Sequence, residues 1–192
     1  MVLATLGCFA AGPPANGIRV TGGTPAHQEM AKWAISRFGA EGLVLPALDI
    51  RFHLDRKGCR DRLGYYADGV ADLCYVHLEL MASRTLMHEM AHGWLDVNMS
   101  VAERERFLRL RGLDTWNDEH AAWDDRGYEQ AAEIMAWALG DQRNDWRPMF
   151  ANNSRGELVV AYETLTGNPL PDLEPHMTWE GRAVVSGGTA TN

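Results

Sequence analysis

The chain has 192 residues, of which 46% are hydrophobic and 23% charged, and a formal net charge of −8. That size and balance suit one globular domain with a core large enough to need no staples. The acidic surplus, with no Lys/Arg stripe interleaved with aromatics, argues against nucleic acid as a partner, and no run reaches the roughly 18 apolar residues that a membrane span needs.

Residues 1–25 read as a flexible N-terminal segment. Within it, residues 2–11 form a short apolar run before Gly12-Pro13-Pro14. A secretory-signal remnant and an ordinary start both remain open, since no basic region precedes the run. Export or a cell-surface location is one expectation and the cytoplasm the other. Cys8 follows Gly7 as a lipid-bearing cysteine would, but Thr5 stands where a leucine is expected. Residues 12–26, rich in Gly, Pro and Thr, read as loop. Glu29 to Phe38 reads as a helix with Met30, Trp33, Ala34 and Phe38 near one face. Leu48 to Leu54 alternates apolar and polar residues, the pattern of a strand. After a charged turn, Asp55 to Asp61, two more strands are predicted at Leu63–Ala67 and Val70–Leu78. Asp68-Gly69 between them is a hairpin signal. If the chain is exported, Cys59 and Cys74 can pair across this region and leave Cys8 over. No C-x-x-C pair is present, which disfavours cysteine ligation of a metal.

Next comes a helix over about 83–97, with Ser83 as N-cap and Asn98 with Ser100 at its exit. A second helix covers about 101–111. Arg104, Arg106, Arg109 and Arg111 are interrupted there by Glu103 and Glu105, so the stretch reads as a solvated helix edge. A loop with Trp116 and Trp123 follows; these rings either line a cleft or plug the core. A third helix runs to Leu139, and Glu157–Thr166 adds another. Residues 179–192 read as a flexible tail. A single domain over 26–178 is expected, in the α+β class, with a small antiparallel or mixed sheet and a mainly helical C-terminal part. No internal repeat is visible. The strand near Val70–Val76 is expected to be an edge that pairs with an extended substrate.

His88-Glu89-Met90-Ala91-His92 carries the chemistry. Residues i and i+4 share one face of a helix, so His88 and His92 can reach one metal ion. Glu89 then lies close enough to act on a metal-activated water. Leu86, Met87, Met90, Ala91, Trp94 and Leu95 supply an apolar stripe that would bury the other side. The bland reading, a capping or solvent-facing histidine pair, is the weaker one.

A catalytic zinc ion needs a third protein ligand and an open position. The extended pattern H-E-x-x-H-x-x-G-x-x-H fails, because Leu95 and Asn98 stand at its glycine and final histidine. Glu129 and Glu133, at i and i+4 on the later helix, are the best source. Like charges at that spacing repel unless a metal ion or a histidine offsets them. Ala132 and Ala136 beside them allow a second helix to come close. His120 is the competitor, as in SprT-like proteins, which use a third histidine; His176 is more remote.

An H-E-x-x-H element followed on a later helix by E-x-x-x-E resembles the gluzincin metallopeptidases, the thermolysin-like clan and its small single-domain relatives. The likeness covers residues 83–140. It implies a zincin-like fold, one zinc ion held by His88, His92 and Glu129, Glu89 as general base, and Glu133 holding the other ring nitrogen of His88. The clan has aspartate where this chain has Glu133. The implied function is a zinc-dependent peptidase that hydrolyses peptide or protein substrates. His120, Tyr128 and Tyr162 are candidates for stabilising the oxyanion or touching substrate. The alternative from another class is a zincin-like metal-binding protein acting as sensor or adaptor without turnover, which would have no need of Glu89. A hydrolase acting on a cell-wall amide shares the same site chemistry.

Overall fold

The structure, a computed structural model, describes residues 17–74, 79–140, 142, 150 and 152–172. Cys8, His176 and the tail 179–192 lie outside the described residues. Among the described residues the architecture is α+β: a four-stranded mixed sheet and five α-helices. In chain order these are β1 (Arg19–Gly22), α1 (Pro25–Ala40), β2 (Asp49–His53), β3 (Gly64–Ala67), β4 (Val70–Cys74), α2 (Glu79–Asn98), α3 (Val101–Arg111), α4 (Gly127–Leu139) and α5 (Arg155–Thr166).

Alternation along β2 and β4 decides which way the sheet faces. Ile50, Phe52, Ala71 and Leu73 are buried against the helices, while Asp49, Arg51, His53 and Asp72 remain on the partly exposed face. Polar groups on that outer face pair with one another: Arg19 and Arg51 bond Asp49, and His53 Nε2 lies 2.6 Å from Asp72 Oδ1. The strand order is β1-β2-β4-β3, with β2 parallel to both β1 and β4 and β3 antiparallel to β4.

Two strand expectations are corrected. Residues 12–26 do not form loop throughout, because β1 pairs in parallel with β2 from Arg19↔Asp49 to Gly22↔Phe52. A four-residue strand bounded by Gly17, Gly22 and Gly23 has too short a period to stand out, and its partner is about thirty residues away in sequence. Val70–Cys74 is also not an edge; it is enclosed by β2 and β3, and β3 is the outer strand. The hairpin itself is as expected. Asp68 and Gly69 take φ of 50° and 78°, the pair of positive values that a two-residue type I′ turn requires.

Cys59 and Cys74 are joined by a disulfide with a Cα–Cα distance of 6.0 Å. It ties the one-turn helix Lys57–Cys59 to the end of β4, just ahead of the α2 region. A cross-link closing a loop of this length removes roughly 3 kcal/mol of chain entropy from the unfolded state.

The described part of α2 spans Glu79–Asn98, so Ser83 lies inside the helix rather than at its N-cap. Leu80, Met81 and Ala82 are good helix formers and extend the helix by a turn. Its exit is as read: Asn98 Nδ2 donates to the Trp94 carbonyl at 2.9 Å, and Ser100 and Glu103 form a capping box that starts α3. On α3 the arginines are not all solvated. Arg111 is buried, donating to Gln130 Oε1 at 2.9 Å and to the Asn152 carbonyl at 2.6 Å. The helix α4 packs on α2, and Gln130 to Leu139 are buried without a break. Ala131, Ala132, Ala136 and Ala138 allow this close approach. The helices α3 and α5 cover α4, and Leu158, Ala161, Tyr162 and Leu165 of α5 join the core. Among the described residues, no helix is long and apolar enough to cross a membrane.

Candidate metal centre

The crossing of α2 and α4 assembles the site. His88 and His92 stand one turn apart on α2, and Glu129 faces them from the first turn of α4. The two Nε2 atoms are 3.0 Å apart, and Glu129 Oε2 lies 3.1 Å from His88 Nε2 and 3.2 Å from His92 Nε2. One donor atom from each of these three residues lies within 4.8 Å of the others, and among the described residues this is the group that could hold a metal ion. Two imidazole nitrogens and a carboxylate oxygen converging this closely on largely buried side chains are donor types that suit a zinc ion, whose ligand bonds run about 2.0–2.2 Å.

The electrostatics favour a cation here. Burial alone would lower the His88 imidazole, but its bonds to Glu129 and Glu133 outweigh burial and raise it to about 10. Burial lowers His92. Burial pushes Glu89 up to about 7, with Glu129 and Glu133 adding to the effect. Glu129 and Glu133 go the other way. Against burial, both histidines hold Glu129 well below the usual carboxylate range, and His88 and Arg84 bring Glu133 down to about 2. The cluster thus stabilises positive charge at the point where the three donors meet.

Behind His88 lies Glu133, at the ring nitrogen where the resemblance places it, and behind Glu133 lies Arg84, which reading the sequence did not foresee. Glu133 Oε1 lies 3.2 Å from His88 Nδ1, while its Oε2 accepts from Arg84, whose Nε is at 3.1 Å. The carboxylate is 90% or more hidden and has Arg84 on one oxygen and the His88 ring beside the other. The longer glutamate side chain, where the resembled clan has aspartate, is braced by Arg84. Arg84 precedes His88 by four residues and so shares its helix face; that spacing was the available signal.

Glu89 is buried on α2, and strand β3 runs past it. A Cβ at Gly64 would come within 2.3 Å of Glu89 Oε1 and 2.6 Å of Thr85 Cγ2. The carboxylate therefore occupies the space a side chain would take, a relation between remote residues that no local pattern encodes. Gly64→Ala is expected to cost stability, because the Glu89 carboxylate can yield but the Thr85 methyl, on a stiff β-branched side chain, yields less readily. If Glu89 is the general base that the resemblance implies, displacing it by about an ångström should lower turnover by about 10²-fold. Steady-state kinetics beside metal analysis checks this: kcat falls and metal content stays at the wild-type value.

Three oxyanion candidates separate in space. Tyr128 packs its ring on His92, with centroids 4.1 Å apart, and its hydroxyl reaches the His92 carbonyl at 3.4 Å. Burial, then Asp96, raises its hydroxyl above the ordinary range, and Tyr66 shares the same Asp96 carboxylate. Tyr128 therefore buttresses the second histidine. Tyr162 is fully buried in α5, a core residue. His120 is exposed on the loop before α4, its ring 3.9 Å from Glu119, and is not among the converging donors. The two loop tryptophans also part: Trp116 packs between Phe107 and Tyr128, whereas Trp123 stacks 6.1 Å from His88 and is 43% exposed as a residue. No family model, curated protein or solved structure matches this chain.

Proposed function

We propose that this chain is a zinc-dependent peptidase of the gluzincin type on a zincin-like fold. The observation that carries the reading is the convergence of His88, His92 and Glu129 with Glu89 on the same helix. A metal-binding protein needs the first three; only hydrolysis needs the fourth.

His88, His92 and Glu129 would hold the ion, and Glu133, braced by Arg84, lies beside Nδ1 of the His88 ring to orient it. Bound zinc would supply Lewis-acid polarisation of the scissile carbonyl and make water easier to deprotonate. Glu89 takes the proton of the attacking water and passes it to the leaving amine. Its burial on the same helix as the two histidines places its carboxylate beside the converging donors, where a water on the ion would lie. An extended peptide would align along β3, the outer strand beside Glu89, by adding main-chain hydrogen bonds to the edge that no other described strand covers. The Cys59–Cys74 bridge is of a kind that persists in oxidising compartments and favours an exported protein.

The test is metal content of the purified protein followed by a peptide-library screen. One zinc ion per chain and cleavage within the library are expected. Lack of stoichiometric metal after zinc loading would end the reading. Zinc without cleavage would favour the sensor or adaptor.

A further inference from the structure

We propose that Trp123 is the specificity-determining wall of the site and takes a large apolar or aromatic side chain of the substrate residue beside the scissile bond; this rests on the peptidase reading above. The ring lies at 25° to the His88 imidazole with centroids 6.1 Å apart. It therefore flanks a metal ligand, and Trp123 is 43% exposed as a residue. Trp116, on the same loop, shows what a packing tryptophan looks like here: its ring is held among Phe107, Tyr128 and Arg104.

The exposure of Trp123 is built in. It opens a single 3-10 turn, Trp123–Asp125, and the backbone is clamped on both sides of it. Upstream, the Arg126 guanidinium binds the Ala121 carbonyl through Nε at 3.0 Å and Nη2 at 2.8 Å, and the Glu119 carbonyl at 2.9 Å. Downstream, Gln130 Nε2 donates to the Asp124 carbonyl at 2.7 Å. Gln130 is in turn held by Arg111, which also grips the Asn152 carbonyl. Gln130 and Arg111 are both more than nine-tenths buried, so a polar relay deep in the helical layer fixes the turn. Fixing the backbone that carries the ring removes part of the ordering cost that a mobile loop would add on binding.

The occupant follows from the chemistry of the wall. An indole face offers dispersion and stacking to apolar and aromatic groups. Asp124 and Asp125 beside it are exposed and acidic, so an anionic side chain is the poorest guest.

The test compares three peptides that differ at one position beside the cleaved bond, carrying Phe, Ala or Glu. Cleavage is followed for wild type and Trp123→Ala, and binding is measured by calorimetry on zinc-loaded Glu89→Gln with and without Trp123→Ala. The Phe peptide is expected to exceed the Ala peptide by about tenfold in kcat/KM and in affinity, and the Glu peptide to rank last. Trp123→Ala should erase the Phe advantage, leave the Ala peptide within about twofold and retain zinc; Trp123→Phe should restore most of it. Equal loss for all three peptides, no loss for any, or no binding of any would overturn the assignment. Discrimination in binding without any cleavage by wild type would uphold the subsite and sink the peptidase.

Discussion

Glu89→Gln is expected to abolish most peptide hydrolysis, by about 10²–10⁴-fold, while one zinc ion per chain remains. The amide is nearly the same size as the carboxylate and fits the space beside Gly64, but it cannot accept the proton of the attacking water. The three converging donors do not include Glu89, so the variant should keep its metal. Matched measurements of zinc content and of kcat on a cleaved library peptide decide the matter. Full activity in Glu89→Gln would remove the general-base role. Unchanged binding of a protein partner, in a chain that cleaves nothing, would support the sensor or adaptor.

The second large effect concerns Glu129. Glu129→Ala removes one of three donors, and the loss of zinc affinity should exceed the 10–100-fold that removal of an outer-shell partner typically costs. The variant also leaves two buried histidines without the carboxylate that lies 3.1 and 3.2 Å from them. Dialysis followed by elemental analysis should find the metal lost from Glu129→Ala and retained in His120→Ala, whose ring is exposed away from the donors. The reverse pattern would move the ligand set to three histidines. Glu133→Ala should have a smaller effect, since it releases the His88 ring without deleting a donor.

The two helices at the centre could be read in advance because their signals are local. Spacing of four residues puts His88 above His92 and Glu129 above Glu133 whatever the remainder of the chain does. Helix boundaries were less legible. Ser83 has the chemistry of an N-cap, yet the good helix formers before it carry α2 back to Glu79. The sheet was legible in its strands and not in their order. Val70–Cys74 shows its alternation in sequence, but whether it is enclosed or free depends on β2 and β3 finding it. The short β1 left no readable period at all.

By itself the sequence determined the α+β class, the hairpin at Asp68-Gly69, and the pairing of two imidazoles with an adjacent carboxylate on one helix. These follow from 2-residue and 3.6-residue periods and from turn chemistry, which act over a few neighbouring residues. Only the tertiary structure decided that Glu129 crosses to meet the histidines, that Arg84 braces Glu133, and that Gly64 makes room for the Glu89 carboxylate. It also decided which tryptophan is packed and which is displayed. Each of these depends on helices and strands far apart in the chain packing at contact distance, and local periodicity carries no record of that distance.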